Sequence, residues 1–263
     1  MKKHSLQLDS ARLNDQNAPQ CDAQLVFGIN SLSVMATDSA KNLCALETWE
    51  YAELEQNPEL WKHQVRQIFQ NNPILNLPFR TKAAVLFHPN VTLVPRRMFQ
   101  ADAMERYFKL LLQPGDYQFD FEEMPEFGAC MLFATPEEQY RLFQQFFPET
   151  QLRHLATSLL HYFRKMAGLE KHIIFVHLRH HTAQIAVFER QNLLLYNSYS
   201  FDTATDLLYF VLLVFDQFRF SPQEVPLAVS GNILRDSELF RMLYRFIREI
   251  RFAVPPVQYK APE

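Results

Sequence analysis

Hydrophobic residues along the chain recur with two spacings, and each spacing predicts one type of secondary structure. Where apolar residues alternate with polar ones, or run together for about four to eight positions between turn residues, the pattern indicates a strand. Strands are predicted within residues 24–38 (two, joined near Asn30), 43–51, 83–88, 91–95, 128–135, 172–200 (three), 226–232 and 251–255.

Apolar residues spaced three and four positions apart indicate amphipathic helices between these strands. One is expected to begin at Asn57, a residue type that caps helix N-termini, with Pro58 at the first helical position. Another should begin after Asp202 or Thr203, and a capping box at Thr135 should start a third. Helices are predicted within residues 57–72, 102–113, 135–147, 151–168, 201–218 and 235–250.

One order of elements occurs twice in this pattern. Three hairpin-linked strands, a helix and a further strand fill the N-terminal half, and the series returns in the C-terminal half. The turns at Asn30 and His177 lie 177 − 30 = 147 residues apart. The repeat predicts an α/β fold with a polar N-terminal tail at residues 1–22, an N-terminal lobe at 23–150 and a C-terminal lobe at 151–263.

The composition argues against a disordered, nucleic-acid-binding or membrane-spanning protein. Hydrophobic residues make up 48% of the 263 residues, which argues against disorder, and a formal net charge of −3 gives no basis for nucleic-acid binding. The longest apolar run, residues 207–215, is far shorter than the roughly 20 residues of a membrane helix. The N-terminus lacks the apolar segment of a signal peptide, and the three cysteines form no C-x-x-C pair. We therefore expect a cytoplasmic protein without membrane insertion.

Glycine is scarce, and its scarcity bears on function. The chain has five glycines, whereas average usage of about 7% would give roughly 18. Loops that cradle phosphate groups depend on glycine, because the backbone must approach the anion closely. The composition therefore argues against an ordinary nucleotide-hydrolysing enzyme.

The duplicated series resembles the actin-like ATPase superfamily, whose ribonuclease H-like fold has two βββαβ lobes and an interlobe cleft. The resemblance covers roughly residues 23–254, and the chain is most similar to an uncharacterised Bacteroidetes family with an actin-like ATPase fold and unknown function. In the superfamily, the first phosphate loop reads apolar-Gly-apolar-Asp-x-Gly-Ser/Thr. Gly28 and Ser33 stand at matching positions, whereas Asn30 replaces Asp and Leu32 replaces the second Gly.

The second phosphate loop of the superfamily reads Asp-x-Gly-x-x-Thr. Thr182 matches it, but His177 replaces Asp and Arg179 replaces Gly. The adenosine-side motif, a strand followed by two glycines, keeps only Gly231. The resemblance implies that the two Asp positions hold magnesium through water, and Mg²⁺ requires hard anionic oxygen ligands that Asn and His do not supply. Leu32 and Arg179 are also expected to fill space that a ligand would need.

The stretch "HLRHHT", residues 177–182, leaves three interpretations open. His177 and His181 share a face if the strand continues, so they could bind a metal, although no cysteine pair supports a zinc site. Arg179, His180 and His181 could instead contact an anion. The simplest interpretation is a polar hairpin mouth without a bound ion, and we predict no metal site.

The sequence thus predicts a non-catalytic actin-like protein with degenerate nucleotide loops. We expect it to act as a protein-interaction or scaffold module, with an unidentified protein partner or a second copy of itself, and without a cofactor. The alternative is that the cleft binds a nucleotide such as ATP or a phosphorylated metabolite, in a divergent ATPase or kinase. The acidic stretch at residues 119–127 is expected to be a surface connection.

Overall fold

The structure is a computed structural model that describes residues 1–7, 13–52, 54, 56–148, 150, 152–168 and 170–253, with only the backbone described for 4–7. Its first sheet, called the N-terminal sheet, has the strand order β1-β4-β3-β2-β5. β2 pairs antiparallel with β3 and parallel with β5. The strands are β1 (Lys2–Gln7), β2 (Asp22–Gly28), β3 (Ser31–Thr37), β4 (Leu43–Glu50) and β5 (Thr81–Phe87).

Two helices, α1 (Pro58–Asn71) and α2 (Pro73–Asn76), connect β4 to β5. The Asn57 side chain accepts a hydrogen bond from the Leu60 amide and Pro58 follows it, so the predicted start of α1 is confirmed. The apolar stripe of α1 packs in the core of the N-terminal sheet, where Trp61 and Val65 are fully buried.

A second five-stranded sheet, called the C-terminal sheet, repeats the arrangement with the order β11-β10-β9-β12-β13. β9 pairs antiparallel with β10 and parallel with β12, as β2 does with β3 and β5. The predicted recurrence of three antiparallel strands, a helix and a parallel strand is therefore confirmed. The elements are β9 (Ile173–Arg179), β10 (Thr182–Glu189), β11 (Asn192–Ser200), α6 (Ala204–Gln217), β12 (Leu227–Gly231), α7 (Glu238–Tyr244) and β13 (Ile250–Phe252).

The chain between the two sheets builds a three-stranded antiparallel sheet with the order β6-β8-β7. One face of this sheet packs against the helix Leu155–Ala167, which also covers the C-terminal sheet. The rings of Phe163 on this helix and Phe175 on β9 stack 4.5 Å apart. The elements are β6 (Val91–Pro95), α3 (Met104–Phe108), β7 (Tyr117–Met124), β8 (Ala129–Pro136), α4 (Glu137–Phe146) and α5 (Leu155–Ala167).

Two strands lie where the sequence predicts none. The predicted polar tail contains β1, an edge strand that pairs with β4 although its residues are mostly polar. The stretch 119–127, predicted as a surface connection, is largely strand β7, whose acidic residues alternate with Phe119 and Phe121. In both cases pairing with another strand decides the structure, a distant one for β1 and the next one along the chain for β7, and local composition does not reveal it.

Three predicted helices differ in their ends. Thr135 does not cap α4, because it is the seventh residue of β8 and pairs with Gln118. The helix predicted at 102–113 is reduced to Met104–Phe108. The one predicted at 235–250 ends at Tyr244, because Ile250 pairs beside Leu227 in the C-terminal sheet.

Two helix ends lie where the sequence predicts them. Thr203 caps α6 with a full capping box, and Gly168 ends α5, as predicted. The three cysteines are buried and form no disulfide. Within the described residues, no helix has both the length and the apolar character needed to cross a bilayer. The tail and lobe boundaries remain predictions.

Candidate functional site

The two hairpin turns that correspond to the phosphate loops meet each other directly. One turn joins β2 to β3 and ends at Ser31, and the other joins β9 to β10 through residues 180–181. Arg179 Nη2 donates a hydrogen bond to Ser31 Oγ at 3.0 Å, and His180 Nε2 lies 3.0 Å from the same oxygen. We call Ser31, Arg179 and His180 the hairpin bridge. It connects residues 148 and 149 positions apart in the chain.

The first turn is held in place by side chains from its own sheet. Tyr51 donates its hydroxyl hydrogen to the Gly28 carbonyl at 2.8 Å, and Trp61 Nε1 donates to the Ile29 carbonyl at 2.9 Å. A Cβ atom on Gly28 would lie 3.1 Å from the Ser31 carbonyl oxygen and 3.6 Å from Arg179 Nε. Glycine at this position therefore lets the turn fold tightly beside the arginine.

The residues at the pattern positions of the first loop have different contacts. Leu32 is fully buried among the core residues of the N-terminal sheet, so the larger side chain adds to that core. The expectation that Leu32 fills ligand space stays a prediction. Ser33 accepts a hydrogen bond from the Thr48 hydroxyl at 3.1 Å, and the Asn30 carbonyl accepts from the Tyr51 amide at 3.0 Å.

The second turn is braced by the end of β12. His177 Nδ1 lies 2.9 Å from Ser230 Oγ, and the Asn232 side chain accepts a hydrogen bond from the His180 amide at 3.1 Å. Gly231 has a φ of +84°, and a Cβ atom there would lie 2.0 Å from the Leu178 carbonyl oxygen. The glycine retained from the adenosine-side motif therefore allows β12 to pass close to β9.

Arg179 is a half-buried cation without a carboxylate partner among the described residues. Its guanidinium carbon lies 5.5 Å from the centre of the Phe87 ring, a cation–π geometry, and its Nε is buried without a hydrogen-bond partner. Burial lowers the pKa of Arg179, opposed by the nearby Tyr51. Burial, and secondarily the charge of Arg179, lowers the pKa of His177 to about 4, so His177 is neutral at pH 7.

The three histidines of "HLRHHT" have three different partners. His177 contacts Ser230, His180 contacts Ser31, and His181 Nδ1 lies 3.2 Å from the Phe201 carbonyl oxygen. His181 lies in the turn, so it does not share a strand face with His177 as the metal interpretation required. The described residues contain no group of three or more His, Cys, Asp or Glu placed to hold a metal ion. Thr182, the last position of the loop, is buried at the start of β10.

Ser31 was absent from the residues that the loop pattern singled out. The pattern marks positions 28, 30, 32 and 33, because family glycines and aspartates define it. A serine hydroxyl in a turn gives no sign of its partner, and this partner comes from the other half of the chain. The sequence singled out Arg179, His180 and His181 as possible anion contacts. In the structure Arg179 and His180 both contact Ser31, and the anion contact stays a prediction.

Ser31→Ala tests how much the hairpin bridge contributes to the free energy of unfolding. The substitution is expected to lower the free energy of unfolding by about 2 kcal/mol, because it removes the hydrogen-bond acceptor of a half-buried guanidinium. Urea denaturation followed by circular dichroism measures the loss. Ser33→Ala is the matched control and should cost less than about 1 kcal/mol, since the hydrogen bond that it removes joins two neutral hydroxyls. Equal losses in the two variants would show that the bridge adds no particular stability.

Comparison with known proteins assigns the family. The sequence model described as "Protein of unknown function (DUF3822)" matches residues 10–250. The chain belongs to this family. No curated protein matches the sequence. The DUF3822 chain is similar in structure to a Bacteroides thetaiotaomicron protein with an actin-like ATPase fold and unknown function, with a TM-score of 0.79, 17% identity and coverage of 92% of this chain and 94% of the other.

A second similar structure comes from the PilM–PilN type IV pilus biogenesis complex. It matches with a TM-score of 0.57 and 12% identity, over 88% of this chain and 87% of the other. At these identities the likeness shows the fold alone. The chain therefore has the actin-like ATPase fold, and both the predicted fold and the predicted resemblance are confirmed.

Proposed function

We propose that this DUF3822 protein is a non-catalytic member of the actin-like fold that acts by contacting another protein. The observation that carries the proposal is the hairpin bridge. Arg179 and His180 reach Ser31 from the opposite sheet and occupy the junction at which the phosphate loops of the superfamily would hold a triphosphate.

The chemistry of the two turns supports this proposal. Magnesium prefers anionic oxygen ligands, whereas Asn30 is neutral and His177 offers a ring nitrogen that already contacts Ser230. Two carbonyls of the first turn, those of Gly28 and Ile29, accept hydrogen bonds from Tyr51 and Trp61. These bonds fix the turn in a geometry suited to the bridge.

A protein partner is supported by exposed apolar side chains and by the fold comparison. The segment between β6 and β7 exposes Met98, Leu110 and Leu111, and Leu110 is 96% exposed. Apolar side chains concentrated in one exposed segment are typical of a contact surface. PilM, which has a similar fold, occurs in a complex with PilN, and this supports a protein partner for the present chain by analogy. The three buried, unpaired thiols suit a reducing compartment such as the cytoplasm.

A second candidate function rests on Arg179. This half-buried guanidinium has a buried Nε without a hydrogen-bond partner and pairs with no carboxylate, both among the described residues, so it could receive an anion from solution. This candidate requires the bridge to open, so that a phosphate oxygen replaces Ser31 Oγ. Inorganic phosphate, ATP and ADP at millimolar concentration would then raise the unfolding temperature by several degrees, as ligands of the native state do.

The proposed function predicts that partner binding does not depend on nucleotide. Tagged protein is captured from a lysate of the source cells, once with MgATP and once with EDTA and an ATP-degrading enzyme. A specific protein should be retained at equal stoichiometry in both, because no bound nucleotide sets the conformation. Isothermal titration of the purified protein with MgATP should give no heat of binding.

The matched control uses Leu110→Ser and Leu194→Ser, since Leu194 is an exposed leucine on β11, outside the β6–β7 segment. Leu110→Ser should reduce retention of the captured protein, and Leu194→Ser should leave it unchanged. Retention that requires MgATP, or a phosphorylated metabolite in native mass spectra without any retained protein, would contradict the proposal and favour the second candidate.

A further inference from the structure

A cavity of about 430 Å³ lies inside the N-terminal sheet region, between the sheet and helices α1, α2 and α4. It opens near the first residues of β2 and β5, at the opposite end of β2 from Gly28 and the hairpin bridge. Most of its walls are apolar, and they include Leu25, Phe69, Ile74, Phe79, Phe146 and Phe147. Its volume lies within the range of about 300–1,000 Å³ that is usual for small-molecule sites.

The aromatic walls of the cavity are fixed by contacts with one another. The rings of Phe69 and Phe146 stack with centroids 3.8 Å apart, and Phe147 meets Phe69 edge to face at 5.6 Å. Phe69 belongs to the core of the N-terminal sheet and is buried. Such a surface favours a flexible apolar group, because burial removes that group from water without reorganising the walls.

One cation stands at the wall of this apolar space. Lys82 Nζ donates a hydrogen bond to the Leu75 carbonyl at 3.2 Å and lies 5.9 Å from the centre of the Phe79 ring. An ammonium group has three donors, and the described side chains offer Lys82 no carboxylate partner. Lys82 is an exposed residue at the edge of the cavity, and partial desolvation of its ammonium lowers its pKa.

The nearby acidic residue is already neutralised. Asp22, which precedes the lining residue Ala23, binds Arg80 through both carboxylate oxygens at 3.0 and 2.6 Å and accepts from Thr81 at 2.7 Å. The polar lining residues besides Lys82 are Gln70 and Asn76, both uncharged, and Asn76 Nδ2 is bound to backbone carbonyls. A single ammonium beside an aromatic wall matches a singly charged carboxylate, whereas a phosphate dianion would call for more donors.

We propose that this cavity binds an alkyl monocarboxylate, a fatty-acid-like ligand. Its chain lies against the phenylalanines and its carboxylate binds Lys82. This site is separate from the hairpin bridge, so the inference does not depend on the proposed function.

Binding is tested by isothermal titration with octanoate, decanoate, dodecanoate and dodecanol, each below its micelle-forming or solubility limit. Affinity should rise with chain length, and dodecanoate should bind about tenfold more tightly than dodecanol, because only the carboxylate reaches the Lys82 ammonium. Lys82→Met removes the charge and keeps an unbranched side chain. It should weaken dodecanoate binding by about tenfold and leave dodecanol binding unchanged.

Lys165→Met is the matched control, because Lys165 is exposed on α5 and does not line the cavity. It should bind dodecanoate like the unaltered protein, and Lys82→Arg should retain most of the preference for carboxylate. If Lys82→Met fails to fold, Lys82→Gln is used in the same titration. Absence of saturable binding to the unaltered protein would overturn the inference. So would equal affinity for dodecanoate and dodecanol, or an equal effect of the Lys82 and Lys165 substitutions.

Discussion

Gly231→Ala is expected to lower the free energy of unfolding by about 3 kcal/mol or more. The new Cβ atom would lie 2.0 Å from the Leu178 carbonyl oxygen, 2.9 Å from the carbonyl carbon and 3.0 Å from His177 Cε1. Two of these three atoms belong to the backbone of β9, so a change of rotamer cannot relieve the overlap. The backbone at Gly231 also has a φ of +84°, which is strained for any other residue.

Gly128→Ala provides the matched control for this experiment. Gly128 also has a positive φ, +60°, but a Cβ atom there would have no atom within 4 Å. Its substitution should therefore cost only the left-handed backbone strain, about 1 kcal/mol. Urea denaturation of both variants separates strain from overlap. If the two variants lose the same free energy, the close approach of β12 to β9 is wrong, and with it the position of the second hairpin turn.

Stability is expected to fall by at least about 3 kcal/mol as the pH is lowered from 6.5 to 4. Burial lowers the pKa of His88 to about 3, with a smaller effect of His154, and burial lowers the pKa of His154 to about 4. His177 has a pKa of about 4 for the reasons given above. Between pH 6.5 and 4, these histidines bind protons in the unfolded chain but stay largely unprotonated in the native state. The stabilising contribution is therefore complete above pH 6.5 and is lost as the pH falls towards these lowered values.

The contacts of His154 show why protonation is unfavourable. Its Nδ1 accepts a hydrogen bond from the Ala156 amide at 3.1 Å and thereby caps α5, and its Nε2 lies 2.9 Å from the His88 carbonyl oxygen. A proton on Nδ1 would break the cap and place a charge in a fully buried site. The same histidine thus joins the end of β5 to the start of α5.

His154→Asn separates the titration from the cap. Asparagine can accept the same backbone hydrogen bond but does not titrate in this range. The variant is expected to be less stable at pH 7 and to show a pH dependence about one third smaller between pH 6.5 and 4. His63→Asn, on the exposed face of α1, should leave the dependence unchanged. Unfolding curves in urea at several pH values give both quantities. An unaltered slope in His154→Asn would mean that His154 binds protons alike in the native and unfolded states, so that burial does not lower its pKa.

The sequence was sufficient to predict the elements that depend on local patterns. Alternation marked β2 and β3, and the residue types at Asn57 and Thr203 marked the starts of α1 and α6. Strands β1 and β7 were not predicted, because many of their residues are polar or acidic. Each becomes a strand by pairing with its partner, β4 for β1 and β8 for β7. The end of α7 was misplaced for the same reason, since Ile250 joins a strand whose partner lies far away in the sequence.

The sequence predicted which phosphate-loop residues the site lacks, but it did not predict the contacts that take their place. Comparison with the loop pattern showed that Asn30 and His177 cannot supply the expected carboxylates. It could not show that Arg179 would bind Ser31, because that contact joins residues 148 positions apart and depends on how the two sheets meet. Nor could it show that the Leu32 side chain joins the core of the N-terminal sheet. The cavity beside Lys82 has no local signal at all, since its walls come from six separate elements.

The central claim is that the hairpin bridge replaces a bound triphosphate. Its most direct test is a crystal structure of the protein grown with magnesium and a non-hydrolysable ATP analogue, both at millimolar concentration. We predict that Arg179 Nη2 stays near 3.0 Å from Ser31 Oγ and that no nucleotide density lies between the two turns. A triphosphate and magnesium between Asn30 and His177, with the Arg179 side chain displaced from Ser31, would contradict the account.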